Sequence, residues 1–181
     1  MITAAPGYTF DDIHLYKVDN DIQMVSLDTP VVASCGLGNA VPVRVTVRNG
    51  ADTAVINIPV KFTVDAGATV TETISSIAGN ANVSFTFIAT ADLSATGTHV
   101  VKVWVDYADD SFRDNDTVTV TIINSQIITV FPHIENFEGS DGGWYTRGKN
   151  NSWEYGTPAS ATINRAASGS KAWKDKPVRF V

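Results

Sequence analysis

The sequence is poor in cysteine, in leucine and in long apolar runs, and each shortage excludes a class of structure. Its 181 residues contain one cysteine, Cys35, which excludes an internal disulfide and any multi-cysteine metal site. Leucine occurs 4 times, whereas valine, isoleucine and threonine together occur 56 times. Because β-branched side chains lose rotamer freedom in helices and fit pleated sheets, this ratio opposes a helical protein. No apolar run approaches the roughly 18 residues needed to cross a bilayer.

Positive charge is scarce over most of the chain. Residues 1–130 carry a net charge of −8, whereas residues 131–181 carry +2. An acidic body has little attraction for a phosphate backbone, so we expect no nucleic-acid binding. The first ten residues, MITAAPGYTF, lack the basic and apolar regions of a signal peptide. The chain is therefore expected to be either cytosolic or a piece of a longer protein.

Apolar residues alternate with polar ones over most of the first 125 positions, which predicts strands half buried against a core. Asn49-Gly50 ends one such run with a strong turn signal. Pro59 cannot donate a hydrogen bond to a β-ladder. We therefore expect either that its strand lies at a sheet edge or that Pro59 is at the start of the strand. We expect Cys35 to be a small buried hydrophobe. The predicted strands are 21–27, 41–48, 57–64, 68–74, 82–88, 98–107 and 116–122. The side chains predicted to be buried between two sheets are Val45, Phe62, Phe85, Val103, Val105 and Val120.

Seven short alternating strands in about 100 residues predict an all-β protein with an immunoglobulin-like seven-stranded β-sandwich. From Phe131 the alternation weakens, glycine, serine and asparagine become frequent, and three of the four tryptophans occur. Such a break in composition marks a second module. We therefore divide the chain into residues 1–19, a sandwich over 20–128, and an incomplete module over 129–181.

Three segments resemble the cell-adhesion-related (CARDB-like) Ig-like modules of Bacteroidetes-type surface proteins. They are DIQMVSLDTPVVASCGLG (21–38), VRVTVRNGADTAVINIPVKFTV (43–64) and ADLSATGTHVVKVWVDYADDSFRDNDTVTVTI (91–122). FPHIENFEG…GGW (131–144) and NSWEYGTP…INRAASGSKAW (151–173) are similar to the start of a MAM-like or adhesin jelly roll. FDDIHLY (10–16) resembles the last strand of such a module, and the final KDKPVRFV departs from its pattern. The resemblance implies the end of one jelly roll, a whole Ig-like domain and a partial jelly roll after it.

Acidic side chains suggest two calcium sites, since clustered carboxylates are the ligands calcium prefers. The first lies in the turn that contains Asp106, Asp109 and Asp110, which Asp114, Asn115 and Asp116 continue, although the spacing is not that of an EF-hand. The alternative is a solvated hairpin whose side chains cap turns. The second follows from the jelly-roll resemblance, which implies a structural calcium shared by acids of the first strand and the last strand of one module. Here those segments, 135–138 and 10–12, belong to different copies, so Glu135, Glu138 and Asp141 would ligate calcium only with the missing strands supplied. Ordinary capping is the alternative there as well.

Aromatic residues provide the third candidate site. Trp144 and Trp153, with Tyr145, Tyr155 and Trp173 nearby, suit stacking on sugar rings, although burial in a core explains tryptophans equally well. Trp104 has the opposite parity from Val103 and Val105, so it is expected on the outer face of its strand as a patch for a neighbouring module or a ligand.

The chain shows little sign of catalysis. It lacks G-x-S-x-G, H-E-x-x-H and a phosphate-binding glycine loop, and His14, His99 and His133 are far apart in sequence. We therefore expect a non-catalytic adhesive or spacer module of a large secreted or cell-surface protein. Its partners would be other modules of the same polypeptide, with cell-surface glycans or proteins. The alternatives are an ancillary region of a secreted peptidase or glycosidase, or a carbohydrate-binding module.

Overall fold

The protein is a two-sheet β-sandwich followed by a small β-hairpin, as described by a computed structural model over residues 20–176. The predicted all-β, immunoglobulin-like class is confirmed. One sheet has three strands in the order β1-β3-β6, and the other has five in the order β2-β8-β7-β4-β5. The strands are β1 Ile22–Thr29, β2 Ala33–Cys35, β3 Val41–Asn49, β4 Val55–Val64, β5 Val70–Ile77, β6 Asn82–Ala91, β7 Gly97–Val105, β8 Thr117–Ser125, β9 Trp153–Gly156 and β10 Ala172–Asp175.

All seven predicted strands are present, and their alternation positions the core. Val45, Phe62, Val103 and Val105 are buried between the sheets as the pattern predicts. Phe85 and Val120 also point inward, but they are only partly buried and pack against the rim of the core. The two-residue period therefore identifies the inward face of each strand correctly, but it overstates how deeply some side chains are buried.

The expected edge position of the Pro59 strand is wrong, because β4 lies between β7 and β5. Pro59 is tolerated inside the sheet because the ladder between β4 and β7 begins one residue later, at Val60. The Pro59 carbonyl accepts a hydrogen bond from the backbone N–H of Asp106, at 2.9 Å, just beyond the end of β7. The missing N–H faces the same side, past the last paired residue of β7, so the proline removes no bond between β4 and β5.

The sequence pattern did not predict β2, a three-residue strand that runs parallel to the end of β8. The chain leaves β1, passes Pro30 and joins the opposite sheet through β2. The expectation that Cys35 is buried is wrong, because its side chain is exposed. Cys35 ends this short edge strand, and no other strand within residues 20–176 pairs with its outer side.

Two buried asparagines connect loops at the two poles of the sandwich. At the first, Asn49 donates from Nδ2 to the Thr53 carbonyl at 2.8 Å and to the Ile77 carbonyl at 3.1 Å, while its Oδ1 accepts from Ala51 N–H. At the second, the Asn124 amide joins the end of β8 to the loops after β2 and after β6. Each side chain thus satisfies backbone groups that no strand would satisfy.

The tail contains one regular element among its described residues, the antiparallel hairpin of β9 and β10. Its residues alternate between two faces. Glu154 and Lys174 form an ion pair on one face, whereas the other carries Trp153, Tyr155 and Trp173. Residues 1–19, where the resemblance implies a preceding jelly-roll strand, lie outside the described residues. Within residues 20–176, no helix is long and apolar enough to cross a membrane.

Candidate functional site

The acidic turn predicted to bind calcium connects β7 to β8, and most of its carboxylates have structural partners. Asp106 pairs with Lys61 Nζ at 2.5 Å, and this contact holds the pKa of Asp106 below its usual value. Asp110 is buried; its Oδ2 accepts from Ile22 N–H at 2.7 Å and its Oδ1 from Phe112 N–H at 2.8 Å. Asp109 is exposed at the tip. Asp110 therefore anchors the start of β1 to this turn.

Asp116 is the one strongly perturbed acid described in this turn. It is 5% exposed, and its Oδ1 atom has no hydrogen-bond partner. Arg113 Nη1 lies 3.6 Å from the Oδ2 atom, which compensates the charge only in part. Burial, followed by the negative charge of Asp110, raises the pKa of Asp116 to about 6. Near neutral pH the folded protein therefore holds a poorly compensated buried carboxylate.

Asp116→Asn is expected to stabilise the protein at neutral pH. The folded-state pKa of about 6 exceeds the ordinary value of 3.8, so the folded state binds the extra proton and wild-type stability falls as pH rises between these values. Asparagine carries no charge and avoids this loss. Urea unfolding should show similar stabilities at pH 4 and a variant more stable by up to about 3 kcal/mol at pH 7. A difference that does not depend on pH would contradict this interpretation.

The acids of the tail bind backbone groups. Glu138 accepts from Lys171 N–H at 3.0 Å and from Ser170 N–H at 2.9 Å, which lowers its pKa. Glu135 accepts from Phe137 N–H. Asp141 Oδ1 accepts from the N–H of the glycine two residues on. Among residues 20–176, no three or more His, Cys, Asp or Glu side chains are arranged to hold a metal ion. The two calcium sites stay predictions without a preformed set of such ligands.

The buried histidine is a structural residue, as its isolation in the sequence predicts. His99 Nε2 contacts the Ala95 carbonyl at 2.9 Å, and Nδ1 contacts Asp65 Oδ2 at 2.9 Å. These two contacts, in that order, raise the pKa of His99. Asp65 also accepts from Val100 N–H, at 2.7 Å. The His99 ring thus connects the loop before β7 with the turn after β4 through one hydrogen bond to each.

The predicted aromatic residues separate into two places. Trp104 lies on the outer face of β7, partly covered, with Lys102 Nζ 5.1 Å from its ring centroid. Trp144 and Trp153 meet in the tail, where they line one surface cavity of about 340 Å³. That cavity also includes Tyr145 and Trp173. Ligand stacking by any of these residues stays a prediction, and the geometry favours the tail.

The sequence arguments missed the polar residues that organise the poles. Asn49 was predicted only to begin a turn, and neither Asn124 nor Asp21 was given a role. Asp21 accepts from Asn115 Nδ2 at 2.8 Å beside the acidic turn. The available signal was an asparagine at the last or next-to-last position of a strong strand. Trp173 was noticed as an aromatic residue, but its position beside Trp153 depends on the register of the hairpin.

No family model and no curated protein matches the chain. Among solved structures, it is similar to a domain of a candidate cell surface protein from Methanosarcina acetivorans, with 25% identity and a TM-score of 0.47, over 58% of this chain and 91% of that one. It is also similar to the CARDB domain of a Pyrococcus furiosus protein in complex with di-metal ions, with 16% identity and a TM-score of 0.44, over 66% of this chain and all of that one. A solution structure of a Pyrococcus furiosus CARDB domain has 14% identity and a TM-score of 0.42, over 59% of this chain and 94% of that one.

Proposed function

We propose that the chain is a non-catalytic spacer segment of a secreted or cell-surface protein, in which the sandwich transmits tension between flanking modules. The observation that carries this proposal is that the chain enters the sandwich at one pole and leaves it at the opposite pole. Residues 1–19 and 129–181 are then parts of the modules that the sandwich holds apart. Its immediate partners are those modules of the same polypeptide.

The chain enters at the pole formed by the β7–β8 turn. The Asn20 carbonyl accepts hydrogen bonds from both the N–H and the Oγ of Ser111, each at 2.9 Å. Ile22 N–H donates to Asp110 in the same turn. The Asp21 carbonyl accepts from Gly50 N–H at 2.7 Å. Tension applied at Asn20 is therefore delivered to a turn that several hydrogen bonds hold in place.

The chain leaves at the other end of β8, which spans nine residues from Thr117 to Ser125, or about 30 Å. At that end the Ser125 carbonyl accepts from Gly36 N–H at 3.2 Å, and Ile123 N–H donates to the Val32 carbonyl at 3.0 Å. Because β2 runs parallel to β8, opposite pulls on the two poles slide one strand along the other. Sliding strains the bonds of the ladder together, whereas peeling breaks them one after another.

Force spectroscopy on the full chain tests the proposal. Handles attached through Asn20→Cys and Gln126→Cys, in a Cys35→Ala background, apply tension between the two poles. We expect a clearly higher unfolding force than with handles at Thr96→Cys and Gln126→Cys. The second pair peels β7 from β8 at one pole, because Gly97 is paired with Asn124.

The two handle pairs share one attachment site and one background, so they differ in the direction of the load. Thermal unfolding of both variants without handles checks that the cysteine substitutions leave stability alike. An unfolding force that is equal in the two geometries, or lower between the poles, would show that the sandwich is not built to transmit tension.

A further inference from the structure

Three of the chain's four tryptophans line one cavity of the tail, which the spacer role does not use. The cavity has a volume of about 340 Å³. It is built from two separate segments, the loop that follows Asp141 and the β9–β10 hairpin. Its main lining side chains are Trp144, Tyr145, Arg147, Asn151, Trp153 and Trp173.

Hydrogen bonds and ring contacts hold the aromatic walls in place. Trp173 Nε1 donates to the Asp141 carbonyl at 3.1 Å, which connects the hairpin to the loop. The Trp144 ring packs edge-to-face on Phe137, with centroids 5.4 Å apart. Trp153 lies on the same face of the hairpin as Trp173, and its backbone N–H donates to Asn151 Oδ1 at 2.8 Å. The Trp144 and Trp173 rings are therefore oriented before a ligand arrives, which reduces the cost of ordering them on binding.

The cavity combines exposed ring faces with polar side chains. Trp144 is 55% exposed and Trp153 is 53% exposed, although tryptophan is usually well buried. Arg147 and Asn151 line the same cavity and place hydrogen-bonding groups beside the rings.

We propose that this cavity binds a pyranose residue of a glycan. A pyranose ring has an apolar C–H face, which packs on an aromatic ring whose face is electron-rich. Its hydroxyl groups project from the edge of the ring, where the Arg147 guanidinium and the Asn151 side-chain NH₂ group can donate hydrogen bonds to them. The volume is near the lower end of the range for small-molecule sites, about 300–1,000 Å³, which suits one or two sugar rings. The Arg147 guanidinium further suits a sugar that carries a carboxylate.

Titration of the full chain with four oligosaccharides tests this site. The probes are cellohexaose, chitohexaose, mannohexaose and hexagalacturonate, followed by tryptophan fluorescence and by calorimetry. We expect saturable binding of at least one probe, and a loss of about tenfold or more in affinity in Trp153→Ala. Phe112→Ala is the matched control, because it removes an exposed aromatic ring of the sandwich that is outside the cavity, and it should bind as the wild type does. Selective binding of hexagalacturonate would assign the charged contact to Arg147, and Arg147→Ala should then abolish that preference.

A second pair of measurements keeps the test decisive if Trp153→Ala disturbs the hairpin. Trp153→Phe retains an aromatic face and should retain most of the affinity, which a purely structural role in folding would not require. Acrylamide quenching of the wild type should show accessible tryptophans. No binding by any probe at about 10 mM would overturn the proposal, and shielded tryptophans would then indicate a cavity covered by another part of the polypeptide. Equal loss of binding in Phe112→Ala and Trp153→Ala would overturn it too.

Discussion

Asn124→Asp is expected to lower the free energy of unfolding by about 3–5 kcal/mol. The Asn124 side chain is 2% exposed, and its Nδ2 donates to the Leu93 carbonyl at 2.8 Å and to the Ala95 carbonyl at 3.1 Å. An ionised aspartate has no proton to donate, so its charge would face these carbonyl oxygens without solvent. Two loops at one pole of the sandwich would lose their shared attachment to β8. Urea unfolding at pH 7 measures the loss.

Asn82→Asp is the matched control, because Asn82 is exposed at the start of β6. The same chemical change there should alter stability by no more than about 0.5 kcal/mol. The Asn124 variant should also regain part of its stability as the pH falls, since burial raises the pKa of an aspartate and protonation removes its charge. Similar losses at the two positions would mean that the Asn124 amide is not an essential connection.

The strands could be predicted because each carries its own local signal. Val43, Val45 and Val47 alternate with polar residues, and all three are buried with no exposed surface. This pattern requires no knowledge of the rest of the chain, because side chains on a strand point to opposite faces in turn. The class of the fold follows from the number and spacing of such runs.

The polar connections could not be predicted, because their partners are distant in sequence. Asn124 accepts from Leu37 N–H, 87 residues away, and donates to Leu93, 31 residues away. Nothing near Asn124 in the sequence distinguishes it from an ordinary strand-end asparagine. The edge position predicted for the Pro59 strand was wrong for a related reason. A proline inside a sheet is tolerated here because of where β7 ends, which the residues next to Pro59 do not indicate.

The candidate site in the tail was predictable in its residue types and not in its geometry. The sequence shows tryptophans at 144, 153 and 173, which suits both a core and a sugar site. Their meeting depends on the pairing of Trp173 with Tyr155, which places Trp153 beside it on one face of the hairpin. The alternation of aromatic and charged residues in Trp153-Glu154-Tyr155 is the local signal for this hairpin.

Phe87→Ala is expected to destabilise the sandwich by about 4 kcal/mol, and Phe85→Ala by about half as much. Both side chains point inward from β6, so the two-residue period cannot rank them. Phe87 is 3% exposed, and its ring packs edge-to-face on Phe62 of the opposite sheet, with centroids 4.9 Å apart. Phe85 packs on Phe87 at 5.2 Å but is only partly buried at the rim, where a cavity can open to solvent.

Chemical unfolding of the two variants under one set of conditions measures the difference, and Thr86→Ala on the exposed face of the same strand is the control. The order Phe87, Phe85, Thr86 in decreasing loss is the expected result, because each step reduces the apolar contact that the substitution removes. An equal or greater loss at Phe85 would mean that the contact between the two sheets is centred nearer the rim than the packing of Phe62 on Phe87 indicates.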